Sequence, residues 1–200
     1  DSQANGALMR ASPLGIFGAG HPLDQVATWG EQDAELTHVH QVCRQCNVLY
    51  VMAIADAIRN GTSAEDLYGK IATWAAERKV DAAVAKAVAG AQEAPPEEYT
   101  KQSGWILIAF RNALWQLLHA SDPGTAVIDT VGRGGDTDTN GAICGALLGA
   151  VYGLDAIPAQ WREKVLQCRP KEGTPGVRHP RPECYWPVDA LELADRLLGA

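Results

Sequence analysis

Asp136 and Asp138 stand two residues apart, with Thr139 beside them and the paired glycines Gly134 and Gly135 in front. Carboxylates and hydroxyls are hard oxygen donors, the ligand type that magnesium- and calcium-class cations select. On a regular helix, residues two apart point to different faces. At a loop-to-helix junction the backbone is not yet helical, and both acids can converge on one point. The two glycines let the main chain turn tightly and approach a ligand closely. A second reading needs only helix chemistry, because aspartate at an N-cap is favoured by the first-turn amides and by the helix dipole. That accounts for one acid, and spacing alone leaves ligation and capping both open.

Other residues invite chemistry less strongly. His38 and His40, followed by Cys43 and Cys46, carry nitrogen and sulfur donors at spacings a zinc site uses. Both cysteines also fall within a helical periodicity, where free cysteine packs as a small buried hydrophobe, and that reading is preferred. Arg10 is expected in a structural ion pair rather than on a phosphate. Trp105, beside Ser103 and Gly104, suits the wall of a cleft.

The elements that must position these residues read as helices. Val39 to Ile58 runs apolar at Val42, Cys46, Leu49, Ala53 and Ala57, and Asn60-Gly61 closes it. Ser63 with Asp66 three residues on resembles a capping box. Further helices are expected over Asp81 to Ala94, Gly104 to His119, Asp138 to Tyr152, Pro158 to Gln167 and Pro187 to Leu198, with Ser121 to Gly124 as a terminator. Thr125 to Val131 suits a helical turn. Arg169 to Pro187, with five prolines, reads as an extended strap. Gly141, Gly145, Gly149 and Gly153 recur every fourth residue and predict a bare stripe for backbone-to-backbone packing. No run alternates as a strand would, so the expected class is all-α, with residues 1–200 as a single helical domain.

Bulk properties narrow the partners. A net charge of −7 lacks the basic footprint of a nucleic-acid binder. No apolar run reaches the roughly 18 residues of a membrane span. Five cysteines, an odd number without framework spacing, suit a reducing, cytoplasmic setting.

The stretch G-G-D-T-D-T-N-G-A-I-C-G-A-L-L-G-A, residues 134 to 150, resembles the ADP-ribosylglycohydrolase family, which includes the dinitrogenase-reductase activating glycohydrolases. Three further stretches agree in order: Ser2-Gln3-Ala4-Asn5-Gly6-Ala7-Leu8-Met9-Arg10, Thr37-His38-Val39-His40, and Gly104-Trp105 ahead of an apolar helix. The resemblance implies a compact, orthogonal all-helical bundle binding two divalent cations, magnesium or manganese. It implies hydrolysis of the bond between ADP-ribose and an arginine, serine or similar acceptor, on a modified protein or a small ADP-ribosyl conjugate. It puts metal ligands at Asp136, Asp138 and Thr139, and an ADP-ribose contact loop at Ser2, Gln3, Ala4, Asn5 and Gly6, with His38 near the diphosphate. The family's T-D-D motif, which supplies the other ligands and a catalytic acid, has no counterpart in residues 1–200. Either the N-terminal portion carrying it lies upstream, or it lies on a separate chain, or the chain is a degenerate member, and no catalytic residue is assigned here. Two other roles share the scaffold: a non-catalytic ADP-ribose-binding or structural member, and an immunity-type partner of an ADP-ribosylating toxin.

Overall fold

In the computed structural model, which describes residues 2–200, the helices are α1 (Ser12–Gly18), α2 (Leu23–Glu35), α3 (Gln41–Asn60), α4 (Ala64–Glu77), α5 (Ala82–Gly90), α6 (Ile106–His119), α7 (Pro123–Gly132), α8 (Thr137–Tyr152), α9 (Ala159–Leu166) and α10 (Ala190–Leu198). Among the described residues no strand forms, and one isolated antiparallel bridge joins Ala4 to Trp105. The class is all-α, as expected.

Helix α3 is the axis of the packing. It is buried almost without interruption from Cys46 to Ala57, and α1, α2, α4, α6 and α8 all lie against it. Such all-round burial marks a helix at the centre of the bundle. His40 accepts the Val42 amide as N-cap, and Gly61, in the left-handed region, closes the helix. The start therefore falls two residues after the expected Val39, which frees Thr37 to Val39 as a loop.

Local signals held where capping chemistry is explicit. Ser63 accepts the Asp66 amide, and Asp81 caps α5. The Ser121 to Gly124 stretch, read as a terminator, also begins a helix: Asp122 accepts the Thr125 amide with Pro123 in the first turn. These bonds hold the Asp122 carboxyl down at about 2, the Thr125 amide being the largest cause. No helix is expected from the sequence over residues 12–35. There α1 and α2 carry Gly15 and Gly30, whose missing side chains leave room for α3, and Gly18, which makes room for Val26 of α2: a Cβ on Gly15 would sit 2.6 Å from Ile54, one on Gly30 2.6 Å from Val51 and one on Gly18 2.8 Å from Val26.

The periodic glycines of α8 are a correction in the other direction. A Cβ on Gly141, Gly145 or Gly149 would meet its nearest neighbour at 3.6, 3.4 and 4.0 Å, ordinary contact distances. Backbone-to-backbone packing is not what these positions do; instead Gly141 and Gly145 border an apolar cavity of about 520 Å³ shared with α7, α9 and α10. Residues 169–187 are largely irregular, with a short 3-10 turn at Glu183–Tyr185. Among the described residues, no helix is long and apolar enough to cross a membrane.

Candidate functional site

Three segments far apart in sequence converge around residues 2–6. The Asn5 amide donates to the Gly104 carbonyl at 2.8 Å, and the Ile106 amide donates to the Gln3 carbonyl at 2.9 Å. This short ladder fixes the loop to the start of α6. Side chains tie it further: Trp105 Nε1–H donates to Gln3 Oε1 at 2.9 Å, while Gln3 Nε2 lies 3.1 Å from His40 Nε2. The Cys43 thiol faces the carbonyls of Ser2 and Ala4 at 3.5 and 3.6 Å. Cys43 and Cys46 are both free and fully buried, as the hydrophobic reading expects, and burial pushes the Cys43 thiol up.

The acidic turn meets this loop directly. Asp136 occupies the N-cap position of α8, yet its side chain caps no amide of that helix. Instead its Oδ2 accepts from Asn5 Nδ2 at 2.8 Å, and Asn5 is 5% exposed. The Asp136 carboxylate therefore serves a tertiary contact and not helix capping. Asp138 stands exposed in the first turn of α8, its carboxyl held below the usual range by the Thr139 amide and by a side-chain contact with Asp136. Thr139 lies half-buried, its Oγ1 3.9 Å from Met9 Sδ. Gly134 and Gly135 both have φ near +77°, at 78° and 76°, and a Cβ on Gly135 would collide with the Tyr99 carbonyl. The paired glycines are thus a steric and conformational requirement of the turn.

His38 closes the opposite side. Its ring edge packs on Gly6, where an added Cβ would lie 3.0 Å from Cε1 and 3.3 Å from Nε2. Its Nδ1 lies 2.8 Å from Thr37 Oγ1, which also accepts from Arg10 at 2.7 Å. Arg10 is, as expected, in an ion pair, with Asp33 at 3.4 Å, and it also donates to the Asp33 carbonyl at 2.6 Å. Spacing could not reveal the links from Arg10 to Thr37 and Asp33, since helix packing sets their separation.

Trp105 separates two depressions. On one side lies an open cleft of about 790 Å³ lined by Gln3, Ala4, Gln102 and Gly104 among others. On the other lies a groove of about 700 Å³ between α5 and α6. Of the predicted residues, Gln3 and Ala4 line the first of these, while His38 and the acidic turn lie outside its lining. All the sequence-predicted residues gather at one end of the bundle, Ser2, Gln3, Ala4, Asn5, Gly6 and His38 on the loop side, and Asp136, Asp138 and Thr139 on the acidic side.

A profile of the ADP-ribosylglycohydrolase family matches residues 1–200. The chain belongs to that family. Among its relatives, the ADP-ribosyl-[dinitrogen reductase] glycohydrolase of Rhodospirillum rubrum is 29% identical over 162 residues, 80% of this chain and 50% of that protein. The ADP-ribosylarginine hydrolase Tri1 of Pseudomonas putida is 25% identical, over 80% of this chain and 42% of its own length. A solved structure titled "ADP-ribosylglycohydrolase-related protein complex" superposes with a TM-score of 0.77 at 26% identity, covering 98% of this chain and 60% of the other. The chain thus spans about half the length of the relatives it matches. Within this ADP-ribosylglycohydrolase fold, the described residues hold no cluster of three or more His, Cys, Asp or Glu side chains suited to a metal. Asp136 and Asp138 are two such donors, and Thr139 adds a hydroxyl.

Proposed function

We propose that this chain supplies the ADP-ribose-gripping and half of the metal-binding surface of a hydrolase that releases ADP-ribose from modified protein side chains. The observation that carries the proposal is the 2.8 Å bond from Asn5 to Asp136, which joins the sugar-phosphate loop to the acidic turn. A helix-capping role leaves that bond unexplained.

The donor set fits a hard divalent cation of the magnesium or manganese class: two carboxylates and a hydroxyl within four residues, one carboxylate exposed. Asp136, Asp138 and Thr139 would hold such ions; two are proposed, by likeness to the family. A bound cation supplies Lewis acidity toward sugar hydroxyls and water. The chain's own residues do the positioning. Asn5 keeps the Asp136 carboxylate turned toward the loop. The ladder between Gln3, Asn5 and the start of α6 keeps residues 2–6 from shifting when a ligand seats. Ser2, Gln3, Ala4, Asn5 and Gly6 line the ADP-ribose path, with His38 against Gly6 on the diphosphate side. Asp136 and Asp138 would hold the cation, and neither is asked to be general acid or base.

The proposed substrates are an ADP-ribosylated protein or a small ADP-ribosyl conjugate, handled in the cytoplasm. Calorimetric titration with ADP-ribose, with and without magnesium or manganese, tests the reading. Wild-type protein should bind more tightly with the cation present. Asp138→Asn should abolish that difference and lower ADP-ribose release by at least about a hundredfold, the scale of losing one metal ligand or its orienting partner. Binding and release unaltered by Asp138→Asn would remove the assignment.

A further inference from the structure

We propose that Thr37, polarised by Arg10, is a positioning residue that fixes the tautomer of His38, so that Nε2–H faces the Gly6 side of the loop. The inference rests on the reading that the loop and His38 meet an anionic ligand, and it adds how His38 is set as a donor there.

The argument is an inventory of hydrogens. Arg10 is a permanent donor with no acceptor capacity, and its terminal nitrogen lies 2.7 Å from Thr37 Oγ1. One lone pair of that hydroxyl is thereby occupied by a cation. The same oxygen lies 2.8 Å from His38 Nδ1. Two arrangements satisfy this distance. Either Nδ1–H donates to an oxygen already accepting from a guanidinium, or the Thr37 hydroxyl donates to a bare Nδ1.

The second is favoured electrostatically. A guanidinium withdraws electron density from Oγ1, weakening it as an acceptor and strengthening its O–H as a donor. A neutral imidazole with bare Nδ1 carries its proton on Nε2. Nε2 belongs to the ring edge that packs on Gly6, within 3.3 Å of where a Cβ would stand. The relay thus delivers one N–H to the loop from a neutral ring.

The frame that holds the relay is rigid. Arg10 also donates to the Asp33 carbonyl at 2.6 Å and pairs with its carboxylate at 3.4 Å. The second oxygen of that carboxylate accepts from the buried Asn47 at 3.3 Å. The His38 amide is bonded to the Ala34 carbonyl at 2.7 Å. Thr37 itself is exposed, so replacing its hydroxyl leaves the core unaltered.

Nitrogen-15 NMR of histidine-labelled protein at about pH 8, where imidazole is largely neutral, reads the tautomer directly. His38 should show bare Nδ1 and protonated Nε2 in wild type and in Thr37→Ser. Thr37→Val should move it toward an Nδ1–H mixture with the melting curve unaltered, and Arg10→Met should shift it the same way. ADP-ribose affinity should fall roughly five- to tenfold in Thr37→Val and stay within about twofold in Thr37→Ser. A wild-type ring protonated on Nδ1, or a tautomer that neither Thr37→Val nor Arg10→Met changes, overturns the proposal. The tautomer is read without nucleotide. Wild-type protein that shows the expected tautomer but ignores ADP-ribose would therefore refute the proposed function and leave the relay standing.

Discussion

Gly135 shows how much a single atom controls at the residue scale. Its backbone lies at φ 76°, and any Cβ there runs into the Tyr99 carbonyl, so both conformation and space exclude a side chain. Tyr99 cannot yield easily: it is buried, and its hydroxyl donates to the buried Asn112 at 2.8 Å. Gly135→Ala should therefore destabilise the fold by about 2–4 kcal/mol, combining left-handed strain with a steric clash. Urea unfolding measures the loss, and an unaltered midpoint would show that the turn relaxes freely. The acids next to it were legible as a pair from the G-G-D-T-D-T spacing. That Asp136 is turned toward Asn5 was not, because its partner lies 131 residues away in the chain.

Glycines also mark where reading by element succeeds and fails. Four at a spacing of four, from Gly141 to Gly153, are conspicuous in the sequence, yet three of them leave room for a methyl and Gly153 serves as the C-cap at φ 79°. Gly30 is inconspicuous, but its empty Cβ position lies 2.6 Å from Val51 and 3.3 Å from the Val48 backbone. The two kinds of glycine should respond oppositely to alanine. Gly145→Ala should stabilise by up to about 1 kcal/mol through helix propensity, and Gly30→Ala should destabilise by about 1–3 kcal/mol through overpacking. Thermal unfolding of the two variants decides it; a loss in both would restore tight packing to the α8 stripe. Periodicity reports that side chains are absent and cannot report what stands opposite. The starts of helices with explicit caps, at Ser63 and Asp81, were therefore readable, though the second helix was expected four residues beyond its end at Gly90, while α1 and α2 were not readable.

Across the whole molecule, the charge pattern sets one stability limit. Asp56, 3% exposed at the end of α3, meets Lys70 of α4 at 2.8 Å and accepts from Thr62 and Asn60. Burial alone pushes its carboxyl up, but the bonds from Lys70, Thr62 and Asn60 outweigh that and hold it below the usual value. A depressed folded value stabilises above the unfolded aspartate value of about 4 and loses that contribution as pH falls through the folded value. Lys70→Met should cost about 1–2 kcal/mol at neutral pH, less than a fully buried pair because Lys70 is partly solvated. The gap to wild type should narrow below about pH 4 as Asp56 takes up a proton. Denaturant midpoints measured across that range check it, and a gap independent of pH would assign the loss to packing alone.

The bonds that build the ligand loop link residues 37, 102 and 131 positions apart. Contacts of such span close last as a chain condenses, since the entropy of drawing distant segments together must be met first. The loop at residues 2–6 accordingly has no local precursor. A partly unfolded chain, whatever helices it has already formed, lacks the long-range bonds that shape this loop.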